Sequence, residues 1–117
     1  MNEDSYVVDF LPKARADLSR IEEYYLKEAS CQVAAKAMRS IYNGIFILKN
    51  RPKAGWAYDS EARRIWYVYD GRYVVLYLLH EEIRLVEIFA VVSARTNWRK
   101  YLDEYFRRRR SKFSSPR

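Results

Sequence analysis

Cysteine, histidine, glycine and proline are all scarce in this 117-residue chain, which holds one Cys, one His, three Gly and three Pro. The lone Cys31 excludes an internal disulfide, and near the start of a helix it is expected to be a small buried apolar residue. A single His80 with no cysteine pair, and no carboxylate pair at helical spacing beside a histidine, makes no metal-ligand pattern, so neither a metal nor a cofactor is implied. Glycine-rich phosphate loops are missing as well. No apolar run approaches the roughly 20 residues that span a bilayer, and the first residues are acidic and polar, unlike a signal peptide. The expectation is a cytoplasmic protein with no membrane partner. Its length suits one domain whose core needs no covalent staples, and no repeat or linker divides it.

Charge is present in quantity but unevenly. The net charge is +7. Residues 1–94 hold 13 basic and 13 acidic side chains, whereas residues 95–117 hold 9 basic and 2 acidic, so the whole excess lies at the C-terminal end. The run Arg107, Arg108, Arg109, Arg110 cannot neutralise itself and should attract phosphate or a carboxylate-rich partner, unless it is simply a solvated tail. The expected division is a folded domain over 1–106 and a basic tail over 107–117.

Apolar periodicity gives the elements. Ser5 to Phe10 reads as a short strand for a sheet edge. Ala14, Leu18, Ile21 and Tyr25 recur at helical spacing from Pro12 to Glu28, with Pro12 suited to the first turn. A second helix starts at Ser30, a good N-cap, and carries Ala34, Ala37, Ile41, Ile45 and Leu48 on one face. Gly44 inside it implies either close packing or a bend. Asn50 to Ser60, with Pro52 and Gly55, reads as a loop. Arg63 to Tyr69 and Arg72 to Leu79 are β-branched and aromatic runs joined by Asp70-Gly71, a strong hairpin signal. A turn at His80-Glu81-Glu82 then leads to the apolar run Arg84 to Val92, and Asn97 caps a third, basic helix carrying Tyr101, Leu102, Tyr105 and Phe106. The predicted class is α+β: an N-terminal strand, a helical hairpin, a three-stranded antiparallel meander and a C-terminal basic helix.

Ala14, Asp17, Leu18, Ile21 and Tyr25 in the first helix, the block Gly71 to Tyr77, the apolar strand Val86 to Val92 and Arg95 just beyond it together resemble the RelE/ParE superfamily of bacterial toxins, over roughly residues 6–101. The resemblance implies the toxin of a type II toxin–antitoxin pair, held with a cognate antitoxin in a hetero-oligomer. Two mechanisms share that fold: RelE-like members cut messenger RNA on the ribosome without a metal, and ParE-like members poison DNA gyrase. Arg95 matches the arginine after the last strand, and Tyr101 matches the tyrosine of the RNase branch. Val74 stands where that branch has an arginine, with Arg72 two positions earlier, and only Arg63 and Arg64 stand near its lysine pair. The histidine that many ParE-like chains carry before the final arginine is replaced here by Val92 or Ser93.

Cleavage by a 2′-hydroxyl needs a base, an acid and charge stabilisation at the phosphate. His80 reads as a solvated turn residue, which leaves that work to Tyr101 for protons and Arg95, Arg63 and Arg64 as clamps. Arg72, Arg99, Lys100 and Arg107 to Arg110 are the candidates for target or nucleic-acid contact. With the RNase set incomplete, the reading favours a ParE-like gyrase inhibitor; the alternatives are a RelE-like mRNA endonuclease and a non-toxic nucleic-acid-binding module. The tyrosines Tyr67, Tyr69, Tyr73 and Tyr77 sit at strand spacing, where cross-strand packing explains them better than base stacking does.

Overall fold

A computed structural model describes residues 5–113, with the side chains at 105, 106 and 108–113 left out. In chain order it contains β1 (Val7–Phe10), α1 (Pro12–Glu28), α2 (Cys31–Phe46), a single 3-10 turn (Ile47–Lys49), β2 (Trp56–Ala57), β3 (Arg63–Val68), β4 (Tyr73–His80), β5 (Leu85–Ser93) and α3 (Trp98–Phe113). The strands form one sheet in the order β1-β5-β4-β3-β2. The meander β3-β4-β5 is antiparallel as predicted, and β1 joins its edge parallel to β5. That orientation follows from the helical hairpin, which carries the chain from the sheet edge and back before the next strand starts.

Both faces of the sheet are covered. On one face Val68, Val75, Tyr77, Leu79, Val86, Ile88 and Val91 meet Ala14, Leu18, Ile21, Met38, Ile41 and Ile45 from α1 and α2. On the other, Ile65, Val74, Leu76, Phe89 and Ala90 meet Trp98 and Leu102 from α3. Strand alternation assigns these faces, and a register shift between Leu76 and Tyr77 turns both Phe89 and Ala90 toward α3.

Several local expectations need correction. Cys31, the first residue of α2, is exposed. His80 is the last residue of β4, half-buried, with Nε2 3.2 Å from Glu87 Oε1 on the neighbouring strand, so the turn comes after it. The loop at 50–60 contains a two-residue strand, β2. The Asp70-Gly71 turn is present, but Tyr69 leaves the strand with φ 52° and Asp70 follows at 55°, both in the left-handed region. Other assignments stand: Ser30 Oγ accepts from Val33 N at 3.1 Å, and Asn97 Oδ1 accepts from Lys100 N at 3.4 Å. The backbone of α3 continues through Phe113; the side chains of Arg108, Arg109 and Arg110 and all of residues 114–117 lie outside the described residues.

Two contacts lock helices to sheet. Asp17, only 4% exposed, accepts from Lys13 Nζ and Arg20 Nη2 with Oδ1 and from the backbone N of Val91 at 3.0 Å with Oδ2. Gly44 lets α2 settle on β3: a Cβ there would lie 2.7 Å from Val68 Cγ1, and Gly44 O accepts from Trp66 Nε1 at 2.8 Å. Asp17→Ala leaves a buried N–H unsatisfied and is expected to cost about 1–3 kcal/mol, with Asp17→Asn milder, in denaturant unfolding of the purified chain. Gly44→Ala reverses the usual helix preference. Val68 is stiff at χ1, so the added methyl should destabilise by about 1–3 kcal/mol instead of stabilising, as a lowered thermal midpoint would report.

A candidate functional site at the hairpin tip

The sequence candidates do not converge on one point. Arg63 and Arg64 begin β3, where Arg63 pairs with Leu78, while Arg95 follows β5, whose last residue pairs with Tyr73 at the start of β4. Five residues of strand separate those ends, roughly 17 Å.

Arg64 is 5% exposed and its guanidinium is engaged on every side. Nε donates to Glu61 O at 2.8 Å, Nη1 to Gly55 O at 2.7 Å and Nη2 to Glu61 Oε1 at 2.8 Å. Beside it the buried Tyr77 hydroxyl donates to Pro52 O at 2.7 Å and accepts from Gly55 N at 3.2 Å. Gly55 permits this approach, since a Cβ would fall 2.5 Å from both Ile65 O and the Tyr77 hydroxyl. Arg64 therefore pins the 51–61 segment to the sheet. Arg63 pairs with Asp59 at 2.7 Å on the strand's other face.

Tyr101 packs against the α3-side core with Lys13 Nζ 4.7 Å from its ring centre. The neighbouring Arg99 lies over the Trp98 ring at 4.3 Å, and Tyr58, edge-on to Trp98, donates to Asp103 Oδ1 at 3.2 Å. Partial burial and the Asp103 carboxylate push the Tyr58 hydroxyl up from its ordinary value. Lys100 and Arg107 are exposed on α3.

What the fold does bring together is Arg95 and Arg72. Both line a cleft of about 750 Å³ at the β3–β4 tip with Tyr24, Tyr25, Tyr73 and Ser93. The strained tip builds its wall: Tyr69 stacks on Tyr73 at 6.4 Å and 4°, Tyr25 meets Tyr69 edge-on at 6.2 Å, and Tyr24 meets Tyr25 at 5.1 Å. The Tyr73 hydroxyl donates to that of Tyr25 at 3.2 Å; burial, then this hydrogen bond, holds its pKa far above the tyrosine range. The Arg72 guanidinium carbon lies over the Tyr69 ring at 4.7 Å, and the Arg72 backbone O accepts from Ala94 N at 2.9 Å, tying the tip to the segment that bears Arg95. No carboxylate lines the cleft, and among the described residues neither guanidinium has an ion-pair partner. Tyr69 and Tyr73 pack as the sequence implies, and the cleft residue it does not single out is Tyr24. Consecutive aromatics at the end of an amphipathic helix were the available signal. Among the described residues no group of His, Cys, Asp or Glu is arranged to hold a metal, and no helix is long and apolar enough to cross a membrane.

This architecture, a helical hairpin and a terminal helix on opposite faces of a mostly antiparallel sheet, is the RelE/ParE toxin fold. The chain belongs to the family of ParE toxins of type II toxin–antitoxin systems, whose model matches residues 8–98. Among solved structures it is similar to a chain of the chromosomal ParDE system from P. aeruginosa (TM-score 0.66, 17% identity, 78% of this chain and 98% of that one). It is also similar to a chain of the RelBE2 toxin–antitoxin complex from Mycobacterium tuberculosis (0.55, 22%, 76% and 98%) and to the isolated E. coli RelE toxin (0.52, 13%, 87% and 99%). No curated protein sequence matches.

Burial moves the Tyr77 hydroxyl up to about 12. Because the unfolded tyrosine ionises near 10, the stabilisation is complete below pH 10 and is lost as pH rises from 10 toward 12, by up to about 1.4 kcal/mol per pH unit. Tyr77→Phe should remove that share of the alkaline slope while lowering stability at neutral pH, both measurable in urea titrations across pH 8 to 11.5.

Proposed function

We propose that this type II toxin acts as a ParE-like inhibitor of DNA gyrase, arresting growth by binding its target and not by cutting RNA. The observation that carries the reading is the dispersal of the nuclease candidates. In-line cleavage needs base, acid and charge stabiliser within hydrogen-bond reach of one phosphate. Arg64 is instead consumed by backbone and Glu61, Arg63 stands at the far end of the sheet, and Tyr101 packs beneath Lys13. The match to ParE toxins supports the same reading.

A cognate antitoxin completes the proposal as a hetero-oligomeric partner in the cytoplasm, where gyrase works. A groove of about 350 Å³ between α1, α2 and β1, lined by Phe10, Leu18, Met38 and Tyr42, is the surface offered to such a partner. The relatives from P. aeruginosa and M. tuberculosis come from toxin–antitoxin systems. The second reading is a RelE-like ribosome-dependent endonuclease centred on Arg95 and Tyr101, favoured by the fold shared with E. coli RelE.

Induced expression of the wild type beside Arg95→Ala and Tyr101→Ala, following growth, mRNA integrity and plasmid supercoiling in the same cultures, separates the two. The expected outcome is intact mRNA with gyrase-dependent DNA damage. Rapid mRNA cleavage that disappears in both variants would replace the inhibitor with the nuclease.

A further inference from the structure

We infer that the tyrosine–arginine cleft at the hairpin tip receives an unpaired nucleotide of single-stranded DNA, with its phosphate between Arg72 and Arg95 and its base against Tyr24. This deepens the gyrase reading and rests on it, since it places the toxin against DNA held by its target.

Charge is the first ground. Arg72 and Arg95 are exposed, line one cleft without a carboxylate, and carry no ion pair among the described residues, so their attraction for a phosphate is not offset locally. Arg72 is additionally held by the face of Tyr69, which fixes its planar fork before any ligand arrives.

Shape is the second. Tyr25, Tyr69 and Tyr73 brace one another by ring contacts and a shared hydroxyl hydrogen bond, and packing accounts for them. Tyr24 is different: it is 56% exposed, yet its ring is fixed edge-on against Tyr25 at 5.1 Å and 80°. A pre-oriented, open aromatic face beside two guanidiniums is what a splayed base with its phosphate requires. A base inside a duplex has both faces occupied, so the surface selects unpaired strands. A volume of about 750 Å³ accommodates a nucleotide.

Strain is the third. Tyr69 and Asp70 are held at positive φ where hairpin turns usually place glycine or asparagine, and outliers of this kind accumulate at binding sites. Here the unusual backbone is what turns the Tyr69 ring under Arg72.

The test is fluorescence anisotropy of labelled oligo-dT, the matching duplex and oligo-U with the purified full chain, over a range of salt. Wild type should prefer oligo-dT to duplex. Tyr24→Ala should weaken oligo-dT roughly tenfold with the salt slope unchanged, because no charge is lost. Arg72→Ala and Arg95→Ala should each lower the slope by about 0.7, and Arg72→Lys should restore it. Arg107 to Arg110 are identical in every variant, so a basic tail acting alone would leave affinity and slope unmoved across the series, and that result overturns the inference. Oligo-U bound ten times tighter than oligo-dT overturns it too, by assigning the cleft to RNA. Because gyrase is absent from the assay, a failed gyrase effect in cells alongside intact oligo-dT binding condemns the gyrase reading and leaves the cleft's ligand standing.

Discussion

Where β1 ends at Phe10, the outer edge of β5 loses its strand neighbour, and the N–H of Val91 would be stranded in an apolar interior but for the carboxylate of Asp17. A buried donor must be paired, and a buried carboxylate must be compensated. Asp17 answers both demands, taking the Val91 N–H on one oxygen and two cations of its own helix on the other. The geometry of the cleft inherits this constraint. Tyr24 and Tyr25 lie about two turns beyond Asp17 on α1, and Arg95 lies four residues beyond Val91, so a helix free to slide on β5 would misplace one wall against the other.

The two ends of the meander have separate duties. At the end where β3 begins, Arg64, Tyr77 and Gly55 satisfy one another and the loop carbonyls, and the charge of the guanidinium is spent inward. At the other end the backbone is strained, the rings are half open and two guanidiniums face solvent. Both ends contain arginine and tyrosine on neighbouring strands. Burial and hydrogen-bond saturation distinguish structural residues from those left for a partner, and composition does not.

Much of the fold was legible because its signals are local. Pro12, Ser30 and Asp70-Gly71 each act within a few residues, and α1 begins at Pro12 and ends at Glu28 as periodicity predicts. What stayed hidden depends on distant partners. Asp17 stands in the first-helix motif that carries the family resemblance, but nothing near it in the sequence shows that its carboxylate takes the N–H of Val91. Arg64 looked like a free cation because its acceptors are loop carbonyls, which carry no sequence signature. Trp98 sits buried at the start of a polar helix, and β2 is too short to show a period. The site was half visible: Arg72 and Arg95 could be named, but their meeting is a product of sheet register, and Tyr24 joins them through the placement of α1.

The parallel pairing of β1 with β5 has a consequence for synthesis. Val7 is registered against Leu85 and Phe10 against Ile88, so the N-terminal strand waits for a partner synthesised 78 residues later. Until then the helical hairpin has no finished sheet to cover, and Asp17 has no Val91 to cap. Contacts this remote in sequence form late. A nascent chain that has not yet completed β5 therefore carries the helical hairpin but none of the assembled cleft.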